Sequence, residues 1–158
     1  MEALVPSFPA QEDIAARVRA VADEASDEQL GGAWRVYSSG SSDEGRDLVN
    51  TRLMDLFKRT GSASAFGLLY ELNHHGFLYA IQSRIRIYRG LLDAADVLQE
   101  VFVNIYRYPH RFDGAKPEAF RHWTNTIIRN TILKHLRSTG RPVRFELVGE
   151  ELAERADD

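Results

Sequence analysis

Two stretches of this sequence hold polar residues at spacings suited to molecular recognition. Between Asp93 and Tyr108, the residues Asp96, Glu100, Val103 and Arg107 recur at i, i+4, i+7 and i+11, with Gln99 beside them. On a helix this spacing makes a single stripe, and its two carboxylates and one amide can accept hydrogen bonds from arginine side chains of another protein. A solvated helix face has the same look, so spacing alone leaves both readings open. Between Pro117 and Arg141, basic and amide residues interleave: Arg121, His122, Asn125, Arg129, Asn130, Lys134 and Arg137. That span holds 5 Lys/Arg against the single acidic Glu118. These residue types contact phosphates and base edges, although a basic helix can also be merely solvated. Trp123 falls on the apolar stripe and reads as core before it reads as a base-stacking platform. Phe112, in the loop from Arg111 to Lys116, offers an aromatic ring beside polar groups, a combination able to grip an unpaired base.

Catalytic chemistry is poorly supplied. The sequence has no cysteine, which excludes thiolate nucleophiles, disulfides and Cys-based zinc sites. His74 and His75 are adjacent, so on a helix they point about 100° apart and chelate one metal badly. His110, His122 and His135 lie away from any carboxylate at metal-site spacing. No glycine-rich phosphate loop or nucleophile elbow is present. The sequence therefore predicts a non-enzyme with no cofactor and no metal.

The elements that would position these residues are helical. Ser42 can cap a helix whose first turn holds Asp43 and Glu44, with Leu48, Leu53, Leu56 and Phe57 on one face and Thr60-Gly61-Ser62 at its end. A second helix runs from Ser64 to about Arg89, with Gly76 marking a bend or a close helix contact. The third, Asp93 to Tyr108, buries Ala94, Val97, Leu98, Val101, Phe102 and Ile105 and stops at Pro109. Asp113-Gly114 marks a turn. Pro117 suits the first position of a fourth helix, which buries Phe120, Trp123, Ile127, Ile128, Ile132 and Leu136 and ends near Ser138. Upstream, Gln11 to Ala25 reads as a short helix, and Gly31-Gly32 and Ser38 to Ser42 read as linker. Val143 to Leu147 is a brief strand candidate; otherwise the fold class is all-α.

The chain has 158 residues, 44% of them hydrophobic, enough for one ordinary core. Its net charge is only −3, but the distribution is uneven. Met1 to Thr60 carries 7 Lys/Arg against 11 Asp/Glu, and Pro142 to Asp158 carries 2 against 6. The intervening stretch from Leu78 to Arg141 carries 11 against 5, a basic middle between acidic ends. The N-terminus lacks the basic and apolar runs of a signal peptide, and no apolar stretch approaches the roughly 20 residues that span a bilayer. A soluble cytoplasmic protein without membrane insertion is the expectation.

Taken in order, the run from Leu92 to Tyr106, then Arg111-Phe112-Asp113-Gly114, then Ala119-Phe120-Arg121-His122-Trp123, then Ile128 to Arg137, resembles region 2 of extracytoplasmic-function sigma factors. Upstream, Asp55 to Tyr70 is similar to that family's opening helix. The resemblance implies a compact helical bundle of the region 2 type, spanning residues 47–141. It also implies a transcription initiation factor that binds core RNA polymerase and recognises and melts the minus-ten promoter element. Asp96, Gln99 and Glu100 match the motif that docks on the clamp helices of the largest catalytic subunit, and Asn104 and Arg107 continue that candidate surface. Arg111, Phe112, Asp113 and Lys116 match the loop that captures a flipped non-template base. Arg121, Trp123, Arg129, Asn130, Lys134 and Arg137 match the helix that contacts promoter DNA.

Three departures stand out. Ala95 occupies a position where the family often has Glu. Thr124 replaces an apolar residue. Residues 142–158 read as an acidic tail or the start of a linker to an absent region 4, as in a fragment of a longer factor or a protein working with region 2 alone. Residues 1–46 form an extension, expected to occlude one of the faces or bind a regulator, with acidity that weakens DNA binding. The alternative is a helical interaction module of sigma fold that binds polymerase or an anti-sigma factor without reading DNA.

Overall fold

The computed structural model describes residues 11–40, 42–88 and 90–140. Among them are six α-helices and no strand: α1 (Gln11–Glu24), α2 (Glu28–Gly40), α3 (Asp43–Thr60), α4 (Ala63–Ile85), α5 (Ala94–Arg107) and α6 (Ala119–Ser138). One turn of 3-10 helix follows α4 at Arg86–Tyr88, and another follows α5 at Pro109–Arg111. The expected strand at Val143 to Leu147 and the acidic tail lie outside the described residues.

Several boundaries follow directly from local chemistry. The Ser42 side chain accepts a hydrogen bond from the Gly45 N–H, capping α3 where Asp43 and Glu44 oppose the positive end of the helix dipole. At the other end Gly61 takes φ 69°, a left-handed conformation that glycine adopts without strain, and its N–H reaches the Phe57 carbonyl. Asp93 caps α5 by accepting the Ala95 N–H at 2.8 Å. One local expectation loses one of its alternatives and another fails. Gly76 lies inside an uninterrupted α4, and a Cβ there would meet open space, so it marks no close helix contact. Pro117 sits in the turn before α6 and not in its first position; Glu118 is the N-cap and the helix starts at Ala119.

The largest correction concerns Gly31-Gly32 and the serines that follow. This stretch is not linker; residues 28–40 form α2. Leu30, Ala33 and Trp34 are buried and Tyr37 packs against the core, at i, i+3, i+4 and i+7. Burial of that face against α3 outweighs the poor helix propensity of glycine and serine. Helices α1 and α2 therefore share one hydrophobic core with α3 to α6, and they pack mainly on α3 and α4.

Within that core α3 is central, touching α2, α4 and α6, while α5 packs on α4 and α6. A buried polar contact fixes α3 against α4: Asn50 and Asn73 each donate an amide N–H to the other's oxygen, at 3.1 and 2.7 Å. Asn73 also donates to the Leu69 carbonyl, so the pair is well satisfied despite its burial.

Candidate polymerase and nucleic-acid interface

Helix α5 points Val97, Val101, Phe102 and Ile105 inward, and this leaves the acceptor stripe at the surface. The stripe is not one surface. Gln99, Val103 and Arg107 line a groove of about 760 Å³ between α4 and α5, together with Phe66, Tyr70, Leu98 and Tyr106. Glu100 and Asn104 instead line a groove of about 620 Å³ between α5 and α6. Asp96 is exposed.

The α4–α5 groove is largely aromatic. Tyr106 is 61% exposed, yet its ring rests edge-on against Phe66 at 5.3 Å and near Phe57 at 5.9 Å. Tyr70 lies against Phe102 at 4.8 Å. Residue spacing held a sign of this: Gln99, Val103 and Tyr106 follow i, i+4, i+7, which places two apolar groups on the outer stripe. Phe66 and Tyr70 gave no such sign, because their periodicity matches a buried helix face.

Glu100 is occupied within the chain. Its Oε1 accepts a hydrogen bond from the Lys134 ammonium, and its Oε2 meets His135 Nε2. The Lys134 hydrogen bond, with a smaller contribution from His135, holds its carboxyl below the usual carboxylate range, and partial burial opposes them. His135, isolated from carboxylates along the sequence, thus gains one through the fold. Lys134 and Glu100 line the α5–α6 groove together with Tyr108, Arg111, Trp123 and Asn130.

The loop and α6 distribute the remaining candidates unequally. Arg111 lays its guanidinium over the Tyr108 ring, 4.4 Å from the centroid. Asp113, Lys116, Arg121 and Arg137 are exposed, Arg121 with its Nε 3.1 Å from Asp47. Trp123 is half-buried and packs against the core while also lining the groove. Two expected surface residues are buried. Phe112 is 1% exposed, its ring 5.3 Å from Trp123 and 6.5 Å from Phe120, so it is a floor beneath the loop and not an open stacking platform. Arg129 is also 1% exposed, because α6 packs on α3, α4 and α5 and its buried face is wider than one apolar stripe. Thr124 is buried too, and donates its hydroxyl to the Phe120 carbonyl at 2.8 Å, which satisfies a polar group where an apolar one was expected.

Residues 72–142 match the family model for sigma-70 region 2. The chain carries a sigma-70 region 2 domain. The matched residues include the later part of α4, all of α5, the loop and α6, so both grooves and every candidate recognition residue from Asp96 to Arg137 involve region 2. Helices α1, α2 and α3 precede the matched span. No curated protein and no solved structure matches the chain. The match supports a sigma-factor role in transcription initiation. Among the described residues, no group of three or more His, Cys, Asp or Glu could hold a metal, and no helix is long and apolar enough to cross a membrane.

Proposed function

We propose that this protein is a promoter-recognition factor of the extracytoplasmic-function type, docking on core RNA polymerase and holding the non-template strand of the minus-ten element. The observation that carries this reading is the division of labour across α5. One side presents Asp96, Gln99 and Arg107 beside an aromatic groove; the other adjoins α6 and its exposed basic residues. A polar stripe beside exposed aromatic rings suits a protein partner such as the clamp helices, because buried aromatic area supplies affinity and the polar groups fix register. Exposed Arg111, Lys116, Arg121, Lys134 and Arg137 suit a phosphate backbone. The α5–α6 groove, walled by Arg111, Trp123 and Asn130, has room for a base drawn from the duplex. Extracting that base costs a few kcal/mol, which stacking and hydrogen bonds in a pocket offset. No covalent step is involved.

A fluorescent single-stranded minus-ten oligonucleotide, added alone and with core polymerase, tests this reading. Binding is expected with polymerase and weak without it. Asp96→Ala combined with Gln99→Ala should weaken polymerase association more than tenfold with Tm unchanged; unaltered association would remove the docking face. A second reading, an interaction module that binds polymerase or an anti-sigma factor without DNA, draws on the burial of Phe112 and Arg129. It predicts no oligonucleotide signal under either condition.

A further inference from the structure

The loop between Phe112 and Glu118 has almost no regular structure, yet it is held at its start and its end by α3, a helix outside the region 2 match. At the start, the Lys58 ammonium donates to the Phe112 carbonyl at 2.6 Å. In the middle, Gly114 lies so close to the Phe112 ring that a Cβ would sit 3.1 Å from Cε2 of Phe112 and 3.5 Å from the Thr51 methyl. At the end, the fully buried Thr51 hydroxyl donates to the Pro117 carbonyl at 2.7 Å and accepts the Phe120 N–H at 3.1 Å. Within the loop, Asp113 accepts the Ala115 N–H at 3.0 Å, closing its own turn.

We infer that Thr51 and Lys58 are positioning residues for base recognition. They hold the Phe112–Glu118 loop in one conformation, so that Asp113 and Lys116 meet the displaced strand already in place. The inference rests on the DNA-binding reading above. Its physical basis is that a loop frozen before binding loses little conformational freedom on binding. One hydroxyl serves here as both donor and acceptor, so its removal leaves the Pro117 carbonyl and the Phe120 N–H without that partner. Phosphate contacts supply affinity without sequence information, whereas loop geometry governs which base is accepted. Loss of a positioning residue should therefore reduce base preference, which loss of a phosphate contact does not.

The experiment first selects a preferred minus-ten strand from a randomised single-stranded pool with the full chain bound to core polymerase. Single-base variants of that strand then measure discrimination. Thr51→Val and Lys58→Met are each expected to weaken binding of the preferred strand about tenfold and to bring the four bases at the read position close to equal affinity. Polymerase association should be unchanged, and Thr51→Ser, which keeps the hydroxyl, should restore discrimination. Lys58→Met changes an exposed residue and keeps the test open should Thr51→Val fail to fold. Its salt dependence should match that of the unaltered protein; a slope reduced by about 0.7, with base preference intact, would make Lys58 a phosphate contact and overturn its role here. Unchanged affinity and preference in both variants would overturn the inference while leaving the function standing. Loss of polymerase association in parallel would reduce both residues to structural supports. Failure of the unaltered complex to retain any strand would instead sink the DNA-binding reading itself, and this inference with it.

Discussion

Helices α1 and α2 at one end of the chain, and α5 and α6 at the other, are both antechambers to the same central helices, yet they treat their polar residues differently. In the first pair, charged groups tie the helices to the bundle: Arg17 pairs with Glu71 of α4, and Asp27 at the start of α2 accepts from Arg59 of α3 at 2.9 Å. In the second pair, Asp47 pairs with Arg121 and Glu100 with Lys134, beside two open grooves. Asp27 in the N-terminal part thus serves an internal tie, while Arg121, Lys134 and Arg137 of α6 are exposed and Arg129 is buried. Charge alone does not identify an interface; what matters is whether the fold has already given each charge a partner.

The contrast can be broken most forcefully at Trp34. Trp34→Ala removes a large, 3% exposed side chain from the α2–α3 seam and should cost about 3–5 kcal/mol in urea unfolding. A loss under 1 kcal/mol would mean that the N-terminal pair is a detachable appendage after all. For the same reason, removal of residues 1–46 is a poor probe of occlusion, since it takes Val18, Val21, Leu30 and Trp34 out of the core shared with α3.

A smaller effect is expected at Glu100. Its folded-state pKa is lowered, so its contribution to stability is present above the unfolded carboxylate pKa and is lost as pH falls through the folded value. Glu100→Gln should therefore narrow its stability gap from the unaltered protein on acidification, measured by denaturation from neutral pH downward. A gap that widened towards acid would show that the Lys134 and His135 contacts do not favour the ionised form.

The least effect belongs to the exposed N-terminal ties. Arg17→Met should change stability by no more than about 1 kcal/mol, because a partly exposed ion pair gains little over its solvated groups. A loss comparable to that at Trp34 would place the hold of α1 in its charges and not in Val18 and Val21, which are buried.

The legibility of this fold in its sequence tracks how local each determinant is. Ser42, Gly61 and Asp93 announce their helix ends because a cap acts within a few residues. The motif order from Leu92 to Arg137 was equally legible, and the region 2 match includes it. Helix α2 was hidden because Gly31, Gly32 and the serines signal linker, and only burial against α3 reveals the Leu30-Ala33-Trp34-Tyr37 face. The buried states of Phe112 and Arg129, and the Glu100–Lys134–His135 contact, depend on helices far apart along the chain. Spacing within one helix carries no record of what another helix brings to it.

The Thr51 contact also has a consequence in time. Its hydroxyl and the Pro117 carbonyl are separated by 66 residues. At synthesis rates of about 5–20 residues per second, α3 leaves the peptidyl-transferase centre roughly 3 to 13 s before its loop partner exists. A nascent chain can assemble α1 to α4 during that interval, but the surface that would read DNA must be set late. Premature termination before α6 would therefore yield a chain with its scaffold begun and its reading surface missing.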